Sequence, residues 1–170
     1  MKNITKILAI AIVALGFATT SFAQVTATAT ASGTIVTPIA IDNAGDLNFG
    51  NVAVSATAGT VILAPAGTRT ITGGVTLPVV PGTVTAAQFD VTGTPDYTYA
   101  ITLPSTATTV TSGGNSMSVD AFTSMPNVTG VLDGAGKQTI SVGATLNVGA
   151  AQAAGIYTSG TPFDVTVNYN

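Results

Sequence analysis

Apolar and polar residues alternate along most of this chain, and clusters rich in Gly, Pro, Asn or Asp interrupt the alternation. The longest alternating runs are 25–41, 97–103 and 163–169. A period of two places successive side chains on opposite faces of an extended strand, so each run predicts a strand with one apolar face. Shorter runs predict further strands at 47–54, 60–64, 69–77, 88–92, 117–124 and 138–148. Many short strands between turn signals predict one all-β sandwich domain without helices, with a closed barrel as the second choice.

The chain carries few charges and contains neither His nor Cys. Its 170 residues include 4 Lys+Arg and 7 Asp+Glu, so 6% are charged, whereas about 25% is usual in a globular domain. Without His or Cys there is no imidazole base, no thiolate nucleophile and no zinc site of the usual type. The sequence also lacks a recognisable nucleophile–base pair and a phosphate-binding Gly loop. We therefore predict that the protein is not an enzyme and that it has no cofactor or metal site.

The first 23 residues have the pattern of a secretory signal peptide. Lys2 and Lys6 precede the apolar stretch 7–17, and Ser21-Phe22-Ala23 provides small residues for cleavage. Eleven apolar residues are too few for a membrane-spanning helix, which needs about 20. We expect export through the Sec route, passage through the periplasm, a secreted or cell-surface location, and no membrane span. The mature chain would begin at Gln24.

The mature chain would be acidic. It keeps two basic residues, Arg69 and Lys137, against seven Asp, so its net charge is 2 − 7 = −5. With that balance we expect no binding of nucleic acid or of anionic membranes.

Asp residues provide the only candidate ligands for a hard cation. The stretch 42–48 has oxygen donors at near-alternate positions, but it lacks the spacing of a calcium loop and is typical of a hairpin turn. Asp90, Asp120 and Asp164 each occupy the outward parity of a predicted strand, between apolar neighbours. We interpret them as solubilising side chains on the outer face.

Four Tyr residues raise the question of a carbohydrate site. Tyr97 and Tyr99 share a face with Ile101 and Leu103, which favours core packing over a stacking platform. Tyr157 and Tyr169 are the other two, and Trp, the usual stacking residue of sugar sites, does not occur.

Both ends of the domain resemble known proteins. Ala27-Thr28-Ala29-Thr30-Ala31-Ser32 followed by Asp46-Leu47-Asn48-Phe49-Gly50 resembles the start of spore coat protein U domains and of archaic chaperone–usher pilin subunits. Ala154-Gly155-Ile156-Tyr157-Thr158, followed by 163–169, resembles their last strand. A closer similarity, over 27–169, is to a family of uncharacterised secreted bacterial domains with segments like 69–75 and 142–146. The chain departs from the pilin pattern in having no Cys at 37–41.

The resemblance implies an incomplete immunoglobulin-like antiparallel sandwich that receives a strand from a neighbouring copy. The partners would be other copies of the chain, in a homopolymer, together with a periplasmic chaperone and usher. The candidate donor strand is 24–32, ahead of the sandwich domain 33–170, and its inward-facing residues are Val25, Ala27, Ala29 and Ala31. The segment is free of Pro and charge, and its nine residues reach about 30 Å when extended. The alternative is that 24–32 is the first edge strand of its own domain.

The final strand is expected to contribute to the core. Phe163, Val165, Val167 and Tyr169 have the inward parity, and Asp164, Thr166 and Asn168 have the outward parity.

Two functions remain open from the sequence. The first is a structural subunit of a bacterial surface fibre or coat, assembled by strand donation and serving adhesion or biofilm. The second is a monomeric secreted module that binds carbohydrate or a surface ligand through loops such as 106–116.

Overall fold

The computed structural model describes residues 23–170, so the expected signal peptide lies outside the described residues except for Ala23. The chain divides into two units, one ending at Thr34 and the other comprising Ile35–Asn170. In the first unit, residues 23–34 are exposed and belong to no strand.

The second unit is built from eleven β-strands, and no helix occurs among the described residues. The strands are β1 (Ala40–Gly45), β2 (Ala53–Leu63), β3 (Arg69–Thr76), β4 (Ala87–Thr92), β5 (Thr98–Thr102), β6 (Thr108–Ser112), β7 (Asn115–Met125), β8 (Thr129–Val131), β9 (Lys137–Val148), β10 (Thr158–Ser159) and β11 (Thr166–Tyr169). Within residues 23–170, nothing has the length and apolar character of a membrane-crossing helix.

The longest strand, β9, organises the larger sheet, which has eight strands. On one side, the first half of β9 pairs with β4 and its second half pairs with β2, while β7 pairs along the other side. Strand β1 extends the sheet beyond β4, β3 extends it beyond β2, and β6 and β10 extend it beyond β7. The smaller sheet has the order β11-β5-β8, and every strand pair in both sheets is antiparallel.

The core consists of two apolar clusters, one over each half of β9. The first cluster combines both sheets, since Ile140 and Val142 of β9 are buried together with Tyr99, Ile101 and Val167 of the smaller sheet. The second cluster has the buried residues Val61, Val75, Val119, Ala144, Leu146 and Val148, all from the larger sheet. No residue of β5, β8 or β11 belongs to the second cluster. The smaller sheet therefore covers only half of the larger one.

A pair of hydrogen bonds ties the two sheets together. The Tyr99 hydroxyl donates to Gln138 Oε1 over 2.6 Å, and the Val131 amide donates to the same oxygen over 2.9 Å. Gln138 belongs to the larger sheet and the two donors belong to the smaller one. Burial of Tyr99 raises the pKa of its hydroxyl to about 12, because the phenolate would be desolvated.

The predicted fold class is confirmed: the protein is an all-β, immunoglobulin-like antiparallel sandwich. The strand boundaries differ in four places. Of the predicted final strand 163–169, only Thr166–Tyr169 form β11, and Phe163 and Val165 pack against the core from outside any strand. Of the predicted run 25–41, only residues from Ala40 onward form a strand, and β1 continues to Gly45, into the stretch 42–48 that was expected to be a hairpin turn. Most of the predicted strand 47–54 is not a strand. Asn48 makes one isolated bridge to Thr85, and β2 begins only at Ala53. Strands β6, β8 and β10 were not predicted, because β6 and β10 are mostly Thr and Ser and β8 has only three residues.

Strand β7 contains a bulge that alternation alone does not reveal. Its pairing with β9 shifts between Asp120 and Thr123, and Ala121 has a left-handed φ of 46°. After the bulge the inward parity changes, so Phe122 packs against the core while Ala121 is exposed. The expectation that Val119 and Ala121 share an inward face around Asp120 was therefore wrong for Ala121.

Candidate binding groove

A groove of about 1230 Å³ lies over the half of the larger sheet that the smaller sheet leaves uncovered. Its floor contains Leu146 and Val148 of β9, Met117 and Val119 of β7, and Val110 of β6. These are inward-facing positions of three neighbouring strands, so the floor is a continuous apolar surface. Two stretches that lie mostly outside the strands, 46–54 and 152–163, form the two walls; the first runs into the start of β2 and the second contains β10.

The first wall brings its own apolar side chains against the second core cluster. Leu47, Phe49, Val52 and Val54 are partly buried there. They cover some of the apolar surface that a complete second sheet would cover, and the rest of that surface lines the groove.

Arg69 holds the first wall against the β2–β3 hairpin. Its Nη1 donates to the carbonyl oxygens of Phe49, over 2.6 Å, and Asn51, over 3.0 Å. Between these residues the backbone turns at Gly50, where φ is 69° and a Cβ would collide with the Pro81 carbonyl oxygen. Backbone hydrogen bonds of Asn48 with Thr85 and of Asn51 with Pro81 also hold this wall, so its position depends on them as well as on the guanidinium.

The second wall is held by amide and phenol groups. Gln152 Nε2 donates to the Tyr157 hydroxyl over 2.9 Å and to the Ser116 carbonyl oxygen over 3.3 Å. The Tyr157 hydroxyl in turn donates to the Ala153 carbonyl oxygen over 2.8 Å. Ile156, in the same stretch, is 85% exposed although it lines the groove.

The groove is almost without charge. Asp46 is the one charged residue among those that line it, and its Oδ1 accepts a hydrogen bond from Asn43 Nδ2 over 3.0 Å. The remaining polar groups at the rim are amides and hydroxyls, such as those of Asn48, Asn51 and Tyr157. An apolar floor with an uncharged polar rim suits an uncharged partner, such as a strand whose backbone needs hydrogen bonds.

The residues proposed from the sequence lie in two different environments. Val25, Ala27, Ala29 and Ala31 are exposed and outside any strand. Val167 is buried, and Phe163, Val165 and Tyr169 pack against the first core cluster. Phe163 also lines the groove, and its ring packs beside the rings of Phe89 and Phe122.

The acidic candidates are dispersed. Asp90 and Asp164 are exposed and Asp120 is half-buried. Asp90 Oδ1 accepts a hydrogen bond from Thr139 Oγ1 over 2.7 Å. Within residues 23–170, no group of three or more acidic, His or Cys side chains is placed to hold a metal ion.

The four Tyr residues form no common surface. Tyr99 is buried, Tyr157 belongs to the second wall, and Tyr97 and Tyr169 pack edge to face with ring centroids 5.5 Å apart. The Tyr169 hydroxyl accepts a hydrogen bond from the Thr94 amide, over 2.7 Å, and donates to the Thr37 carbonyl oxygen, over 2.9 Å.

The expectation that 106–116 is a loop was wrong. Most of it is β6 and the start of β7, joined by a tight turn at Gly113 and Gly114. Two of its residues, Thr108 and Val110, nevertheless line the groove. Sequence reasoning missed the first wall because alternation at 47–54 indicates an apolar face without indicating which segment that face meets.

The fold and the groove together define a class: an immunoglobulin-like sandwich with a half-covered apolar face. The chain belongs to the family described as domain of unknown function DUF4402, whose model matches residues 39–169. The comparisons with curated proteins and with solved structures gave no match.

Proposed function

We propose that this protein is a structural subunit of a bacterial surface fibre or coat, in which each copy inserts an extended strand into the groove of the next. One observation carries the proposal: the smaller sheet does not reach one apolar half of the larger sheet, where the stretch 46–54 leaves a groove, and the same chain carries an uncharged alternating segment outside any strand. An inserted strand would cover the floor and complete the second layer of the sandwich.

The segment and the groove agree in charge. Residues 24–32 contain no charged side chain and no Pro, and the groove lining has one carboxylate, Asp46. A charged donor would lose its hydration over the apolar floor without gaining a partner, which is strongly unfavourable.

The segment and the groove also agree in length. At about 3.3 Å per residue, the nine residues of 24–32 extend to about 30 Å, longer than the five-residue stretch of β9 in the second cluster. Since the inward residues of the segment are mostly Ala, they bury little apolar area of their own. The stabilisation would come from new main-chain hydrogen bonds and from covering floor residues such as Val110 and Met117.

Export, a cell-surface location and assembly with a periplasmic chaperone and usher complete the proposal. An unfilled apolar groove is an aggregation hazard during export, and a chaperone strand would cover it until another copy does. Adhesion or biofilm formation is the expected role of such a fibre.

A second candidate function rests on the rim of the groove. The amides of Asn48, Asn51 and Gln152 and the hydroxyl of Tyr157 surround the apolar floor. Polar groups of this kind also recognise carbohydrate, so the alternative is a monomeric secreted module that binds a saccharide or another surface ligand.

The experiment uses one variant that cannot donate its N-terminal strand and one whose groove cannot accept a strand. Ala29→Asp places a carboxylate on the inward face of the donor segment, with Thr28→Asp as its outward control. Val110→Lys places a charge on the groove floor, and Thr109→Lys is its control on the exposed face. Size-exclusion chromatography with light scattering on the mature proteins then reports the size of the assemblies.

We expect the wild type and both controls to form long multimers, whereas neither the donor variant nor the groove variant alone should form an assembly by strand insertion. A mixture of Ala29→Asp and Val110→Lys should form one-to-one complexes, because the first keeps an intact groove and the second keeps an intact donor strand. A wild-type protein that stays monomeric at high concentration, and a mixture without one-to-one complexes, would refute strand donation. Saturable binding of a saccharide by that monomer, weakened by Gln152→Ala, would instead support the second function.

A further inference from the structure

The free edges of the two sheets differ in how they are protected against pairing with another molecule. An unpaired strand edge presents free N–H and C=O groups, and natural proteins protect such edges by shortness, charge, Pro or a cover. Strands β8, β10 and β11 have three, two and four residues. Strand β1 carries Asp42.

Strand β3 lacks these protections. It has eight residues, Arg69–Thr76, contains neither Pro nor a carboxylate, and pairs only with β2 within the described part of the chain. Its one charge is Arg69, whose guanidinium is engaged by the Phe49 and Asn51 carbonyl oxygens. The whole hairpin from Ala53 to Thr76 contains no Asp, although the mature chain is acidic. Two copies could therefore meet along this edge without the repulsion that their net charge imposes elsewhere.

The regular part of this edge is short and nearly symmetric. Residues 69–73 pair with 59–63 without a shift, and the irregular part of β2 lies before Gly59, between Val54 and Gly59. Within the run Arg-Thr-Ile-Thr-Gly, Ile71 is central and has a Thr on each side. Ile71 is 38% exposed and lies opposite Val61, on the inward face, whereas Ile62 is 41% exposed and lies opposite Thr70, on the outward face.

We propose that two copies pair antiparallel along β3, with the two-fold axis beside Ile71. In that register Ile71 lies opposite Ile71 of the second copy, and Thr70 lies opposite Thr72. Each Arg69 then faces Gly73, so the two guanidinium groups are kept apart. Apolar pairs and Thr–Thr pairs are favourable cross-strand neighbours, and a surface that matches itself about a two-fold axis gives a closed dimer.

This interface would be separate from the groove. Strand β3 contributes no residue to the groove lining, so an edge pair and an inserted strand can coexist on one subunit. Where strand insertion builds chains, β3 pairing would join two chains side by side.

Disulfide trapping tests the register directly, because the chain has no Cys of its own. Residues opposite each other in an antiparallel pair have Cα atoms about 4.5 to 5.5 Å apart, which is within the range that a disulfide requires. The test variants are Ile71→Cys, Thr70→Cys and Thr72→Cys. Val79 is fully exposed and lies outside the strands, so Val79→Cys reports the rate of disulfide formation by random collision. All are made in the full mature chain that also carries Ala29→Asp, so that strand donation does not contribute.

We expect Ile71→Cys to form a disulfide dimer under mild oxidation at least roughly tenfold faster than Val79→Cys, because pairing raises the local thiol concentration. Thr70→Cys alone should react slowly, whereas its mixture with Thr72→Cys should give the mixed dimer. Thr109 lies in β6, which is separated from β3 by three strands. Adding Thr109→Lys to the Ile71→Cys variant should therefore leave the rate of disulfide dimer formation unchanged. Rates for Ile71→Cys equal to the collision control would overturn the interface. Faster self-linking of Thr70→Cys than of Ile71→Cys would overturn the two-fold register. Neither result depends on whether the groove accepts a strand.

Discussion

The hydroxyl of Tyr99 links the two sheets, and its removal should affect stability in opposite directions at neutral and alkaline pH. In the folded protein this hydroxyl is buried and donates to Gln138 Oε1 over 2.6 Å. The change Tyr99→Phe keeps the ring and removes the donor. Gln138 Oε1 keeps its bond from the Val131 amide, so no acceptor is left without a partner.

At neutral pH the variant should be less stable. A hydrogen bond between neutral groups contributes about 1 kcal/mol, and the acceptor here stays satisfied. We therefore expect Tyr99→Phe to lower the free energy of unfolding by about 1 kcal/mol at pH 7.

Above about pH 11 the sign of the difference should reverse. Burial raises the pKa of Tyr99 to about 12 in the folded state, whereas an unfolded Tyr ionises near pH 10. Between these values the unfolded chain releases a proton that the folded chain retains, so the free energy of unfolding falls as the pH rises. The total loss is roughly 2 to 3 kcal/mol by pH 12. The variant has no hydroxyl at this position and escapes this loss.

The two stability curves should therefore cross near pH 11, roughly where the alkaline loss equals the lost hydrogen bond. Urea unfolding of both proteins at intervals from pH 7 to pH 11.5 measures the difference directly. The other titrating groups are common to both proteins and cancel. A constant difference across this range would show that the Tyr99 hydroxyl is not desolvated as the structure implies.

Three further predictions concern folding and export. Val167→Asp should prevent folding, since a buried unpaired carboxylate costs several kcal/mol against a total stability of about 5–15 kcal/mol, whereas Thr166→Asp on the exposed face should be nearly silent. Equal solubility and melting temperatures of the two would show that the faces of β11 are wrongly assigned. Gly130→Ala should lower the melting temperature measured by circular dichroism, because a Cβ there would collide with the Tyr99 ring; an unchanged value would contradict that packing. Mass analysis of surface material from the producing cells should give an N-terminus at Gln24, and retention of the preceding residues there would refute cleavage.

The sequence by itself determined the class of fold and the faces of most strands. Alternation is a local property, because each extended residue places its side chain opposite to that of its neighbour. The inward residues of β9, from Ile140 to Val148, and those of 163–169 can therefore be read without knowing what covers them. The structure also turns at Pro65-Ala66-Gly67 and Asp133-Gly134-Ala135-Gly136, two of the Gly-rich and Pro-rich clusters that interrupt the alternation.

Only the tertiary structure decided where the two sheets overlap. The groove exists because β5, β8 and β11 cover one half of β9 while the stretch 46–54 covers part of the other half. No local pattern records this, because it depends on segments that are far apart along the chain. Arg69 reaches carbonyl oxygens 18 and 20 residues away, and the bulge at Ala121 changes the parity of β7 to suit its pairing with β9. Alternation assigns a side chain to a face, but the contacts between distant strands determine whether that face becomes core, wall or open floor.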